Sequence, residues 1–351
     1  MISDRIKRLS PYKTETTQAK IRLSSNELPL HLPEDVRIRI AKEVSKIPIN
    51  KYPDPNAREL KEVLSDHLKV KEENIVLGNG SDELIYYLSV AIGEPSRGVF
   101  YPIPTFPMYE ISAKVFGRER VEVPLDENMD IDLSLSLNAI KTHSPILAFI
   151  SYPNNPTGRC FTKSKIESIR QEGLFTVIDE AYFHFSKKTF LEDAIKREDT
   201  VVLRTLSKIG MAGLRVGILI AKEEIAYEIN KMRLPFNITY PSQVIARLML
   251  TEFYSLIEEC INTVLKERDR LIRVLSQMEG IEVFPSDANF ILFRSEFPAE
   301  RLHKELLVRG VLVRNVSYLP RLERCLRVSV GLPEENDAFL DALESSLRSL
   351  N

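Results

Sequence analysis

The chain has no tryptophan, five histidines and three cysteines among its 351 residues. Cys160, Cys260 and Cys325 are odd in number and far apart, which excludes a disulfide framework and any CxxC zinc pattern. That usage suits a reducing compartment, and a cytoplasmic protein is expected. No two histidines stand at metal-ligand spacing, so no metal site is expected. No apolar run approaches the ~20 residues of a membrane helix. The opening stretch, MISDRIKRLSPYKTETTQAK, is polar and lacks the apolar core of a leader peptide. An excess of charge is also missing: 48 Lys and Arg face 50 Asp and Glu, a net charge of −2. Neither a nucleic acid nor a membrane surface is therefore an expected partner.

What is present is a globular composition, 44% apolar and 28% charged. At roughly 100–200 residues per domain, the length suggests two domains, or a large one with a smaller partner. Residues 1–30 carry little periodicity and read as an N-terminal arm. Turn chemistry at Tyr52-Pro-Asp-Pro precedes an amphipathic helix with Leu60, Val63, Leu64 and Leu68 on one face. Short apolar runs then alternate with helical patterns: 75–77, 98–101, 146–150, 175–178, 201–203 and 216–220. Continuous apolar strands separated by helices predict a mainly parallel sheet covered on both faces, an α/β domain spanning 31–236. Residues 237–351 begin with a long amphipathic helix carrying Ile261, Val264, Leu265, Leu271, Leu275 and Met278. Short strands and helices follow, as in a smaller α+β domain.

In an open parallel sheet, ligands bind beyond the carboxyl ends of the strands. The segments just past the predicted strands are Gly78-Asn-Gly80-Ser81-Asp82-Glu83, Pro104-Thr-Phe106, Pro153-Asn-Asn155-Pro-Thr-Gly, Asp179-Glu-Ala-Tyr182 and Thr205-Leu-Ser207-Lys208. Lysine is ordinarily a solvated charge, but Lys208 stands alone among small and apolar residues between Thr205 and Leu214. Desolvation lowers an amine's pKa and makes it nucleophilic toward carbonyls, as a Schiff-base lysine requires. Asp179 follows a buried strand directly. A turn acid is the ordinary reading; the functional one is a carboxylate that keeps a heteroaromatic ring nitrogen protonated, the partner that pyridoxal phosphate needs. The Gly78–Glu83 turn lacks the third glycine of a dinucleotide fingerprint, and no NAD site is expected. It does suit a phosphate held on helix N–H groups, with Ser207 and Arg215 supplying a hydroxyl and a cation.

Together, Asn155-Pro-Thr-Gly, Asp179-Glu-Ala-Tyr182, Ser207-Lys208 and Gly213-Leu-Arg215 resemble the pyridoxal-phosphate-dependent aminotransferases of fold type I. The nearest likeness is to the branch that acts on histidinol phosphate. The resemblance runs from Leu9-Ser-Pro-Tyr12 through Ser24-Ser-Asn26-Glu27 to Leu326-Arg327-Val-Ser-Val-Gly. It implies that Lys208 bonds the cofactor pyridoxal 5'-phosphate and later moves protons, and that Asp179 pairs with its ring nitrogen. Asn155 and Tyr182 would hold the ring oxygen. Gly80, Ser81, Asp82, Ser207 and Arg215 would surround the phosphate, with Tyr52 reaching it from the neighbouring subunit of a homodimer. Phe106 stands where the family usually stacks a tyrosine on the ring, so stacking is kept and a hydroxyl lost. Lys208 and Arg215 are also one residue closer together than the family pattern.

For the substrate, the resemblance implies anion binding by Arg314 and Arg327, with Tyr12, Asn26 and Asn155 nearby. An arginine fork accepts a phosphate monoester or a carboxylate. The expected reaction moves an amino group from L-histidinol phosphate to 2-oxoglutarate, giving imidazole acetol phosphate and L-glutamate, in histidine biosynthesis. The alternatives are an aminotransferase for aromatic or other amino acids, and a decarboxylase of threonine-phosphate type.

Overall fold

The computed structural model describes residues 2–11 and 17–350. After a two-residue strand, β1 (Ile21–Arg22), come β2 (Ile75–Asn79), β3 (Val99–Ile103), β4 (Arg120–Pro124), β5 (Leu147–Ser151), β6 (Phe175–Asp179), β7 (Thr200–Thr205) and β8 (Val216–Ile220). These last seven form one sheet in the order β2–β8–β7–β6–β5–β3–β4. Successive side chains in a strand point to opposite faces, so the runs feed two cores. Phe100, Ile150, Ile178, Val202 and Ile218 pack on one side, and Tyr101, Phe149, Val177, Leu203 and Leu219 on the other. Both faces being covered explains why the runs are continuously apolar.

One strand runs against the rest. β8 pairs antiparallel with both β2 and β7, because the link from Leu206 to Arg215 is shorter than the dozen or so residues of a parallel crossover. The consequence is functional: the start of β8 lies on the same sheet edge as the carboxyl ends of β2, β3, β5, β6 and β7. The sequence reading did not anticipate β4, which has no continuous apolar run. It is an edge strand burying only Val121 and Val123 in alternation.

A second, antiparallel sheet is built from β9 (Ile281–Val283), β10 (Phe290–Ser295), β12 (Arg314–Asn315) and β13 (Cys325–Ser329), in the order β12–β13–β10–β9. Its register sets Arg314 directly opposite Arg327. The helix Tyr254–Leu275 buries Ile257, Ile261, Val264, Leu271 and Leu275 at the expected spacing, with Met278 just past its end. β11 (Val311–Leu312) pairs in parallel with β1, so the N-terminal stretch is stitched into the C-terminal layer. Among the described residues, no helix is long and apolar enough to cross a membrane.

Candidate active site

A cleft of about 260 Å³ lies along the shared edge of the central sheet and is roofed by residues of the second sheet and the N-terminal stretch. At one end, β2 leads through Gly80 into the helix Ser81–Ala91. Gly80 caps that helix at φ 76° and offers no side-chain cap, so N–H groups of the first turn are left for a ligand. Glycine is required here twice. A Cβ on Gly80 would lie 2.4 Å from Arg215 Nη2, and one on Gly217 would lie 2.3 Å from the Gly80 carbonyl carbon.

Arg215 enters this cup from the start of β8, its backbone in the left-handed region at φ 54°. It donates to Asp82 Oδ2 at 3.1 Å and to Ser207 Oγ at 3.3 Å. Asp82 is therefore charge-paired. Glu83 turns out of the cup, accepting from Asn79 N and from Asn237 Nδ2. Two acids in the first turn would repel a phosphate, and these contacts largely offset that.

Asp179 sits at the other end, on the last residue of β6, with 3% of its surface exposed. It accepts from Tyr109 Oη at 2.8 Å and from Ala181 N at 3.1 Å. No ion pair to it is found among the described residues. Burial pushes its carboxyl up to about 6 against these hydrogen bonds, with Asp82 and Glu180 adding to the rise. A buried acid lacking a cation is a ready partner for a cationic ring nitrogen. Between the two ends, Lys208 Nζ donates to Ser25 O at 3.2 Å and lies 5.7 Å from the Tyr182 ring centroid. Phe106, the N-cap of the helix Pro107–Phe116, lines the same cleft. An acid, an amine, an apolar wall and a cationic cup lining one cleft fit pyridoxal phosphate.

The roof fixes two further groups. Arg327, 8% exposed, donates Nη1 to Asn155 Oδ1 and Nη2 to Ser24 O, the latter at 2.7 Å. With its oxygen engaged, the Asn155 amide is left facing the cleft as a donor. Asn26 Nδ2 donates to Tyr182 Oη at 3.0 Å, which leaves the phenol proton free to donate in turn. Asn26 is held by Ser329, whose Oγ accepts from Asn26 N at 2.8 Å. Arg314 lines the cleft and makes no side-chain hydrogen bond or ion pair among the described residues. Two arginines opposite one another in a sheet repel, which an anion between them relieves.

The family model for aminotransferase class I and II matches residues 18–343. The chain belongs to the class I and II aminotransferases. It is 63% identical to the histidinol-phosphate aminotransferase of Aquifex aeolicus, covering all of this chain and 99% of that one. It is 46% identical to that of Hydrogenobaculum sp., over 98% of both. The crystal structure of the Sinorhizobium meliloti histidinol-phosphate aminotransferase, a complex with pyridoxal-5'-phosphate, superposes with a TM-score of 0.87 at 24% identity, over 100% of this chain and 98% of that one. At that identity it speaks for the fold.

In this aminotransferase the cleft gathers Gly80's neighbours Ser81 and Asp82 with Phe106, Asn155, Asp179, Tyr182, Ser207, Lys208, Arg215, Asn26, Arg314 and Arg327. Tyr52 stands apart from these groups. Tyr52 is 78% exposed and stacks on Phe236 at 4.4 Å, outside the cleft of its own chain. Tyr12 lies outside the described residues. Tyr109 was not anticipated. A buried tyrosine inside an amphipathic helix reads as core, and its only signal is its position one helical turn after Phe106.

Proposed function

We propose that this chain is a histidinol-phosphate aminotransferase, moving the amino group of L-histidinol phosphate to 2-oxoglutarate in histidine biosynthesis. The observation that carries the reading is an arginine pair, Arg314 and Arg327, sharing one cleft with the cofactor-facing residues around Arg215. The whole-length likeness to the Aquifex enzyme supports the substrate over an aromatic amino acid or a threonine-phosphate decarboxylation.

Pyridoxal 5'-phosphate, when bound, supplies an aldehyde that takes up amines and a ring that accepts an electron pair. The chain's own groups divide the remaining work. The N–H groups at the start of the helix Ser81–Ala91, with Ser207 and Arg215, hold the phosphate, Gly80 making the turn and Asp82 fixing Arg215, while Phe106 walls the ring. Asp179 holds the ring nitrogen's proton. Asn155 Nδ2 and Tyr182 Oη donate to the ring oxygen. Lys208 anchors the cofactor through its amine and moves a proton at the substrate carbon. Arg327 and Arg314 bind the phosphate monoester of one substrate and then a carboxylate of the next, as a two-stage transfer through one site requires. Asn26 completes this wall.

We place the cofactor-binding unit at 31–236, the smaller unit at 237–351 and the arm at 1–30. A homodimer is supported by the exposed Ile49, Tyr52 and Leu234, which leave apolar surface around the Tyr52–Phe236 stack. In such a dimer Tyr52 reaches the partner's phosphate cup. The three free cysteines support a cytoplasmic setting.

A half-reaction tests the substrate. L-Histidinol phosphate alone should convert the bound cofactor's absorption to that of its amino form, and 2-oxoglutarate should restore it with glutamate released. A spectrum that ignores histidinol phosphate but answers to phenylalanine, or carbon dioxide released from threonine phosphate, overturns the assignment.

A further inference from the structure

Tyr109 is fully buried, and its ring lies parallel to Phe149 at 4.8 Å, with Phe106 edge-on at 5.8 Å. Its hydroxyl donates to Asp179 Oδ2 at 2.8 Å, with Ser151 as a further hydrogen-bond neighbour. The Ala181 N–H serves the other oxygen, so among the described residues each carboxylate oxygen has one donor. We infer that Tyr109 is a positioning residue for the amino transfer: its hydroxyl keeps Asp179 ionised and aimed, so that the acid holds a proton on the ring nitrogen of the bound cofactor. The inference rests on the cofactor reading above.

The physical case is a competition. Apart from the Tyr109 hydroxyl and the Ala181 N–H, the strongest influences on Asp179 disfavour its charge. Burial opposes it, as do Asp82 on the helix Ser81–Ala91 and the adjacent Glu180. Lys208 and Tyr182 line the same cleft. The hydrogen bonds from Tyr109 and Ala181 favour the ionised form, because a donor bonds a carboxylate more strongly than a neutral acid. A neutral carboxyl cannot pair with a pyridinium. Burial also drives the Tyr109 hydroxyl well above its ordinary value, so it remains a donor throughout the working range. Phe106 and Tyr109 flank the start of one helix, Pro107–Phe116. The wall over the ring and the donor behind the acid therefore move as one piece.

The test is Tyr109→Phe, which keeps the stacked ring and removes only the hydroxyl. Holoenzyme carrying cofactor with 15N in its ring is followed by NMR from about pH 6 to 9, with steady-state kinetics alongside. Wild type should show a protonated nitrogen throughout. The variant should lose that proton within the range and lose roughly tenfold or more in kcat, with KM within about twofold. The same change in an Asp179→Asn background should do nothing further, since coupled residues are not additive. Should the phenylalanine variant fail to fold, Tyr109→His returns an N–H donor and should keep the nitrogen protonated. An unchanged nitrogen signal and kcat in Tyr109→Phe overturns the inference. So does an equal loss with and without the Asp179 carboxylate, which marks a purely structural residue. A wild type that binds no cofactor defeats the cofactor reading instead.

Discussion

Burying a carboxylate without a cation costs stability, and in the cofactor-free protein Asp179 bears that cost. Its carboxyl is raised to about 6, against ~3.9 in an unfolded chain. Above pH 6 it is ionised in both states, and folding loses up to roughly 3 kcal/mol from this group. As pH falls toward 4 the folded state takes up the proton first, and the penalty fades. Cofactor-free Asp179→Asn should therefore resist urea better than wild type at about pH 8, with the margin gone by about pH 4. Equal stability at pH 8, or a larger margin at pH 4, would show that burial does not dominate here. Asp179, Lys208 and Asn155 were legible because each lies at or just past the end of a buried strand in a sheet whose ligand edge is known beforehand. Tyr109 was not, since its hydroxyl's target is about seventy residues away in sequence and its helical surroundings are those of any core aromatic.

At the level of elements, the direction of β8 decides where Arg215 arrives. Apolar runs reveal that a strand exists and not which way it points. The direction was nevertheless implicit in the short Leu206–Arg215 link, which leaves no room for a crossover helix. The edge strand β4 escaped because one side of it needs no apolar cover. Close passage of β8 past the phosphate turn also fixes Gly217, whose added Cβ would strike Gly80 and lie 2.5 Å from Ser81 N. Backbone atoms yield less readily than side-chain tips. Gly217→Ala should therefore distort the cup at a cost of about 1–3 kcal/mol, read as roughly tenfold or greater weakening of cofactor affinity with the circular dichroism unchanged. Wild-type affinity in that variant would show the turn to be more pliant than its packing implies.

At the scale of the molecule, the exposed Tyr52 tests how many chains make one site. Tyr52→Ala and Lys208→Ala variants, each weak alone, are mixed and refolded together. If Tyr52 serves the partner, each mixed dimer keeps one site with both groups intact, and activity should rise well above that of either parent. If Tyr52 serves its own chain, no intact site forms and mixing restores nothing. The roof has a different reach. Asn26 meets Ser329 across 303 positions of sequence, and Arg327 meets Ser24 across the same interval. This chain's own contributions to the phosphate cup, and the acid Asp179, are by contrast all present once β8 exists. On a ribosome adding about 5–20 residues per second, several seconds separate β8 from the emergence of Arg327. The growing chain has all its cofactor-facing strands before it has the means to choose a substrate.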